Sequence, residues 1–475
     1  MNKKPKPALP RVLLIGHAPL ETLGAGGTER YISAEIAALS DKFDFFYYYP
    51  ILREGAYLSR NELRDSENRR VRSFYFSVRE VDALIEDAQR DRQFAIILRE
   101  LAIDVVHVHH MLGHAPSIIS VAHKLTIPVM YSVHDFYTTC LRFHLQGLEG
   151  AYCGVLENGF GNCDRCLLQT ELIEAGSFQR RLRDFGRMLS SVQTVHTPIE
   201  FLSDWMKSLF HKELRNTHVV TMPLPISPSF ERRESSRNGP LTIIVPGNFV
   251  DIKGRQAILQ CIELLKNDNV KFVIVGGISN VDRVRLGVYD NVILSKCDNR
   301  RQLMKAYSGA DLSLHMSVVP ETFSFTLSEA WMSGVVPIAS DLGAFRYRIT
   351  SGVNGVLVPP GDEADLARAI RKFMTDDGLL EGIKRKLPSP TDPDLHWKWV
   401  GETLTNLIRS RNEMRTIPTR SAISKRTTRW FPEEKSNSSR FIKSKIRAFV
   451  ADALNNMSHL AYKLNQMLYA KRLND

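Results

Sequence analysis

The sequence predicts an α/β protein: two Rossmann-like, doubly wound domains facing a central cleft, followed by a basic helical C-terminal extension. Three observations lead there. Short β-branched or aromatic runs alternate with helix-period segments throughout residues 11–360. The alternation occurs twice, on either side of a proline-rich stretch. Many of the runs are apolar almost throughout, as strands covered on both faces should be. At 475 residues the chain is also too long for one ordinary domain of about 150 residues.

In the first half the runs place strands at 11–16, 43–49, 104–109, 128–134, 192–196 and 218–222. In the second half they fall at 241–247, 270–276, 292–296, 311–316, 335–339 and 355–358. Strands separated by helical segments imply right-handed βαβ units and open parallel sheets. The expected organisation is a basic tail at 1–11, a first domain at 12–225 with a cysteine-rich insertion at 138–168, and a hinge at 226–240. A second domain follows at 241–390, then a helix at 391–410 crossing back to the first domain, a polar linker at 411–440 and an amphipathic helix at 441–475. Ligands of doubly wound sheets sit at the carboxyl ends of the strands, so the cleft between the halves is the expected site.

Composition excludes several classes. With 43% hydrophobic and 24% charged residues the bulk is globular, not disordered or a disulfide scaffold. The net charge of +11 belongs to the ends. Residues 411–475 carry 14 Lys/Arg against 5 Asp/Glu, residues 1–11 carry 4 cations, and the body at 12–410 is at −2. That argues against nucleic-acid binding by the core and leaves the ends as candidates for an anionic surface. No run approaches the roughly 18 apolar residues of a membrane span, and the one at 12–15 is shorter than the ~7–15 residues of a signal-peptide core. A cytoplasmic protein, peripheral at most on the inner face of the cell membrane, is the expectation.

Two segments carry the chemistry. Gly24-Ala25-Gly26-Gly27-Thr28-Glu29-Arg30 follows the first strand and precedes a helix, where glycines admit a ligand and free N–H groups receive an anion. A plain tight turn is the competing reading. The second segment, Pro320 to Ala330, holds two glutamates, Glu321 and Glu329, and runs into a helix, so Ser324, Thr326 and backbone N–H groups would meet a phosphate. Were the interval helical, a rise of ~1.5 Å per residue would put the carboxylates roughly 12 Å apart. That exceeds the ~5–9.5 Å of a glycosidase acid pair and suits two carboxylates gripping the ends of one elongated ligand.

Residues 311–362 resemble the signature region of retaining GT-B glycosyltransferases, the glycosyltransferase group 1 family. After Glu329-Ala330 come Gly334, Pro337 to Asp341, Gly343-Ala344, Asn354-Gly355 and Pro359 to Asp362, in family order. Gly247 with Lys253-Gly254 is similar to that family's phosphate-binding loop, and Gly26 to Arg30, 104–110 and His134-Asp135 match in the first half. The resemblance implies the GT-B fold, a nucleotide-sugar donor and no cofactor required for catalysis. It implies that Glu329 binds the ribose, Glu321 contacts the donor sugar, and Lys253 neutralises the diphosphate. Phe323 and Ser324 would cradle the phosphates with backbone groups, Gly26-Gly27 would close over them, and His134 would lie beside the anomeric carbon. His107, His109 and His110 are candidates to line the cleft. Asn248 stands where the family usually has Arg, and Ser324 replaces a common Gly, which is tolerable if its φ is negative. The acceptor implied is a glycan or a lipid-linked molecule of cell-surface polysaccharide synthesis. The alternatives are a silent GT-B scaffold acting through its tail, a sugar-nucleotide epimerase or a phosphorylase.

Four of the six cysteines cluster as Cys140, Cys153, Cys163 and Cys166, with one C-x-x-C pair. A structural zinc is the sharp reading and four reduced thiols the bland one. In the tail, Ile446, Val450, Ala453, Met457, Leu460, Leu464 and Met467 form a heptad seam flanked by lysines. It suits packing or self-association, or a basic helix on an anionic membrane, through 441–470.

Overall fold

The computed structural model describes residues 8–20, 26–53, 56–76, 87–171, 176–226, 239–295, 297, 299–389 and 391–416. The heptad seam, most of the hinge, and Gly24 and Ala25 lie outside them. The first half contributes strands β1 (Arg11–Ile15), β2 (Asp44–Arg53), β3 (Ala56–Asp65), β4 (Arg70–Tyr75), β5 (Val105–Val108), β6 (Val129–Ser132), β7 (Thr194–Thr197) and β8 (His218–Thr221). The second contributes β9 (Leu241–Pro246), β10 (Val270–Val275), β11 (Val292–Ser295), β12 (Leu312–His315), β13 (Val336–Ser340) and β14 (Val356–Val358). They form two sheets, in the orders β4-β3-β2-β1-β5-β6-β7-β8 and β11-β10-β9-β12-β13-β14.

The second sheet is parallel throughout, and in both sheets the strand order reverses beside the first strand of the half. That reversal opens the crevice where a doubly wound sheet binds its ligand. Central strands β1, β5, β6, β12 and β13 are almost wholly buried, which explains why their sequences run apolar instead of alternating.

The hairpin β3–β4 was not expected. It adds two antiparallel strands to the edge at β2. Its polar sequence, with Arg60, Asn61, Glu62 and Arg64, hides the strand period. Buried Glu62 accepts from Arg60, Arg64 and the Tyr49 hydroxyl, so charge pairing does the work that apolar alternation does elsewhere.

The crossing helix is Pro393–Thr416, which corrects the expected linker: residues 411–416 are helical. Trp397, Val400, Leu404 and Ile408 join Val12, Leu14, Tyr31 and Phe45 of the first half in one core cluster. The His396 ring lies between the Tyr31 hydroxyl, 2.8 Å from Nε2, and the Pro223 carbonyl, 2.9 Å from Nδ1. Arg411 donates to the Ile103 and Asp104 carbonyls and so holds the far end of the helix to the first domain. Truncating the Trp397 anchor (Trp397→Ala) should cost about 3–5 kcal/mol, the usual range for a buried Trp. The check is the urea midpoint of the first unfolding transition; a shift worth under about 1 kcal/mol would mean the helix is not held this way.

Candidate functional site

The second half builds a pocket of about 100 Å³ at the carboxyl ends of β9 and β12, lined by Asn248, Lys253, Ser317, Glu321, Ser324 and Thr326 among others. Gly247 at φ +98° turns the chain out of β9, and a 3-10 turn, Asp251–Lys253, ends on Gly254 at φ +80°. A Cβ on Gly254 would stand 2.0 Å from the Met316 carbonyl oxygen, so only glycine lets this turn press against the end of β12. The turn delivers the Lys253 ammonium onto Glu321 Oε1, which also accepts from the Ser317 hydroxyl at 2.7 Å. Burial pushes the Glu321 carboxyl up, but Lys253 and Ser317 outweigh it and hold it below the ordinary value. Gly343, at φ +53°, backs this loop; a Cβ there would meet Glu321 O at 2.7 Å.

Glu329 has the opposite environment. It sits on the helix Phe325–Met332, 4% exposed, with Oε2 lacking any hydrogen-bond partner among the described residues. Burial pushes its carboxyl up to about 7, against the pull of Arg30 and Arg300. An unpartnered buried carboxylate oxygen costs free energy unless something donates to it. The helix begins only at Phe325, so the rise-per-residue spacing of the two carboxylates does not apply to the whole interval.

Ser324 caps that helix, its hydroxyl accepting from the Leu327 N–H at 3.4 Å. Its φ is +66°, positive where tolerance of a side chain was expected to need a negative value. The strain is held by Arg348, a residue the sequence reading missed. Arg348 donates to the Phe323 and Ser324 carbonyls and to the Ser328 hydroxyl. Its guanidinium packs 4.0 Å from the Phe323 ring centroid and 4.9 Å from that of Trp331. Burial lowers the Arg348 pKa to about 9.

Across the cleft, Gly26 caps the helix Gly27–Leu39, and a Cβ on Gly27 would come within 3.0 Å of the Phe325 ring. Thr322 donates to the His134 carbonyl, joining the two halves at the site. His134 follows β6, and burial with several neighbouring imidazoles holds its ring neutral, well below the ordinary pKa.

Of the other histidines, His107 and His109 are 0% and 1% exposed, so they do not line the cleft. They flank Glu35, a fully buried carboxylate that no sequence motif singles out. Burial raises its pKa, yet the two imidazoles reverse the shift and keep it ionised. His107 Nδ1 lies 2.8 Å from Glu35 Oε1, and His109 Nε2 lies 3.2 Å from Oε2. His109 Nδ1 is 3.2 Å from His134 Nε2. With a carboxylate facing its Nε2, His109 carries its proton there and offers Nδ1 as an acceptor, so His134 donates from Nε2. His110 accepts the Leu112 N–H at Nδ1 (2.9 Å) and faces Asp135 with Nε2 at 2.6 Å.

Asn248 is exposed, and its Oδ1 lies where a Cβ on Gly277 would be 2.7 Å away. It brings no cation to the pocket, so Lys253 is the cation lining it.

Two family models match the chain: Glycosyltransferase Family 4 over residues 25–173, and Glycosyl transferases group 1 over residues 228–387. Both halves of the chain therefore match glycosyltransferase family models, the second half that of group 1. Its curated relatives include a D-inositol 3-phosphate glycosyltransferase of Xylanimonas cellulosilytica, 28% identical over 36% of this chain and 46% of that protein. A phosphatidyl-myo-inositol mannosyltransferase of Mycobacterium leprae is 40% identical over 76 residues, 16% of this chain and 20% of that protein. The chain spans under half the length of the curated relatives it matches. Among solved structures, a sucrose-phosphate synthase from Thermosynechococcus elongatus superposes with TM-score 0.58 at 16% identity, covering 85% of this chain and 100% of that one. Anabaena HepE in complex with UDP does so with TM-score 0.52 at 14% identity, covering 84% and 100%. At these identities the superpositions establish the GT-B fold.

If Glu35 sets the ring state of His134 through His109, the Glu35→Gln protein should lose the single tautomer. Nitrogen NMR of the histidine rings should find His134 protonated at Nε2 and bare at Nδ1 in the wild type, and a mixture in the variant. Identical His134 spectra would remove Glu35 from the site.

Proposed function

We propose that this protein is a retaining hexosyltransferase that moves a sugar from a nucleotide-sugar donor to a glycan or lipid-linked acceptor in cell-surface polysaccharide biosynthesis. The observation that carries the reading is the pocket that gathers Asn248, Lys253, Glu321 and Ser324, with Glu329 on the following helix, its Oε2 without a partner among the described residues. In this reading the ribose hydroxyls donate to Glu329, which supplies the partner its Oε2 lacks. The diphosphate lies against Lys253 and the first-turn N–H groups of the helix Phe325–Met332, whose donors have no partner within the helix.

As the sugar–phosphate bond breaks, negative charge grows on the departing diphosphate and positive character on the sugar. Lys253 and the helix N–H groups are fixed in advance of that charge, so stabilising it needs little reorganisation. Glu321, already engaged by Lys253 and Ser317, is read as a contact to the donor sugar and not as a covalent nucleophile. That favours front-face substitution with retention. His134, neutral and donating to His109, would keep its Nδ1 as an acceptor for a donor-sugar hydroxyl. The UDP in the HepE structure supports a nucleotide donor. The phosphatidyl-inositol named for the mycobacterial relative supports a lipid-linked acceptor. Such an acceptor would bring the basic 411–475 segment near an anionic surface.

Calorimetric titration with UDP-, GDP-, ADP- and dTDP-sugars tests the donor site. One donor should bind at micromolar strength, and Glu329→Ala should weaken it by about 1–3 kcal/mol; no binding by any donor would sink the roles of Glu329 and Lys253. The same titration has a pH signature. Hydroxyl donors stabilise the ionised carboxylate, so a bound ribose lowers a Glu329 pKa that stands at about 7 in the free protein. Affinity should therefore fall as pH drops below about 7 and level off above it, with Glu329→Gln showing a flat profile across that range. A wild-type affinity independent of pH between 5 and 8 would contradict the ribose assignment.

A further inference from the structure

The insertion after β6 brings Cys140, Cys153, Cys163 and Cys166 around one cavity of about 160 Å³, and none of the four is in a disulfide. Cys140, Cys163 and Cys166 are half-buried, and Cys153 is exposed at the edge of the cavity. Gly154 at φ +73° makes the turn after Cys153, a conformation that suits glycine. Cys163 and Cys166 stand three residues apart in the first turn of the helix Cys163–Glu171, on one face and at the positive end of the helix dipole. Arg181 lies beside this cluster, its guanidinium 4.3 Å from the centroid of the Tyr137 ring and donating to the Tyr137 carbonyl.

We propose that Cys140, Cys153, Cys163 and Cys166 bind one structural Zn²⁺ as four thiolates. Four protons leave to solvent as the metal enters, and the resulting site of charge −2 is offset by nearby Arg181. The exposed edge at Cys153 gives the ion its entry. Zinc–sulfur bonds of about 2.3 Å place the sulfurs about 3.8 Å apart. The sulfurs do not yet form such a closed set, so side-chain rotation into the cavity would complete it.

Among the described residues the metal-ligating groups already within 4.8 Å of one another are those of Glu35, His107 and His109. That trio is fully buried. Its outward-facing nitrogens already face Ser132 (His107 Nε2) and His134 (His109 Nδ1), so it is a hydrogen-bonded network without an entry path.

The zinc would have a consequence for the cleft. The turn before Cys153 reaches the other half, where the Tyr152 N–H donates to the Val318 carbonyl at 2.9 Å, in the loop that leads to Glu321. A metal fixing Cys153 thereby fixes a strut between the halves at Val318.

The test is elemental analysis of the full-length protein purified without chelator, combined with thiol titration of the native chain. The expected result is about one zinc per chain, released by a mercurial reagent together with four thiols that do not react before it. Cys166→Ser should cut occupancy at least tenfold, while Cys261→Ser, a buried thiol elsewhere, should leave it unchanged. Should Cys166→Ser fail to fold, the wild-type stoichiometry decides alone. A wild-type chain that carries no zinc after reconstitution, that holds these cysteines as disulfides, or that carries iron instead, would overturn the proposal.

Discussion

The guanidinium of Arg348 is the contact on which the site depends. It fills the space between Phe323 and Trp331 and engages the carbonyls of residues 323 and 324. With those carbonyls bound behind the loop, Ser324 can sit at φ +66° and start a helix whose N–H groups at Phe325 and Thr326 face outward from the ladder, while the Leu327 N–H is capped by the Ser324 hydroxyl. Arg suits this place better than Lys, because its planar fork reaches several acceptors while its face stacks on rings. The arrangement stores strain at one residue and holds it with several contacts, as functional loops commonly do.

Given that loop, the two glutamates acquire different characters from their surroundings alone. Glu321 meets an ammonium and a hydroxyl and stays ionised; Glu329 is buried, and against the pull of Arg30 and Arg300 is raised to about 7. The same pair of residue types therefore supplies one charge-balanced contact and one carboxylate in need of a donor. Across the cleft, Thr322 fixes the loop to the end of β6, so the distance between the halves is set at the residue next to Glu321. The crossing helix and its His396 contacts set it again at the hinge side.

Much of this was legible in the sequence because the central strands are buried on both faces, which leaves apolar runs such as Val12–Ile15 that stand out without alignment. The glutamates, Lys253 and the glycines could be placed through the family resemblance, which rests on their fixed order along the chain. Three things were not legible. The β3–β4 hairpin is polar and is held by ion pairs around Glu62, so no hydrophobic period marks it. Arg348 and Glu35 act on residues 20 to 99 positions away, Arg348 on the 323–328 loop and Glu35 through His109 on His134, and a lone Arg or Glu on a helix reads as a solvated charge. The sign of φ at Ser324 is a tertiary property, because it follows from the Arg348 clamp and not from the serine itself.

The central claim is that the segment from Glu321 to Glu329, shaped by Arg348, holds a nucleoside diphosphate. A crystal structure of the protein with the nucleoside diphosphate that binds it tests this most directly. A ribose hydroxyl should lie on Glu329 Oε2, and phosphate oxygens on Lys253 and the backbone N–H groups at the start of the helix Phe325–Met332. A nucleotide bound elsewhere, or one whose ribose turns away from Glu329, would contradict it.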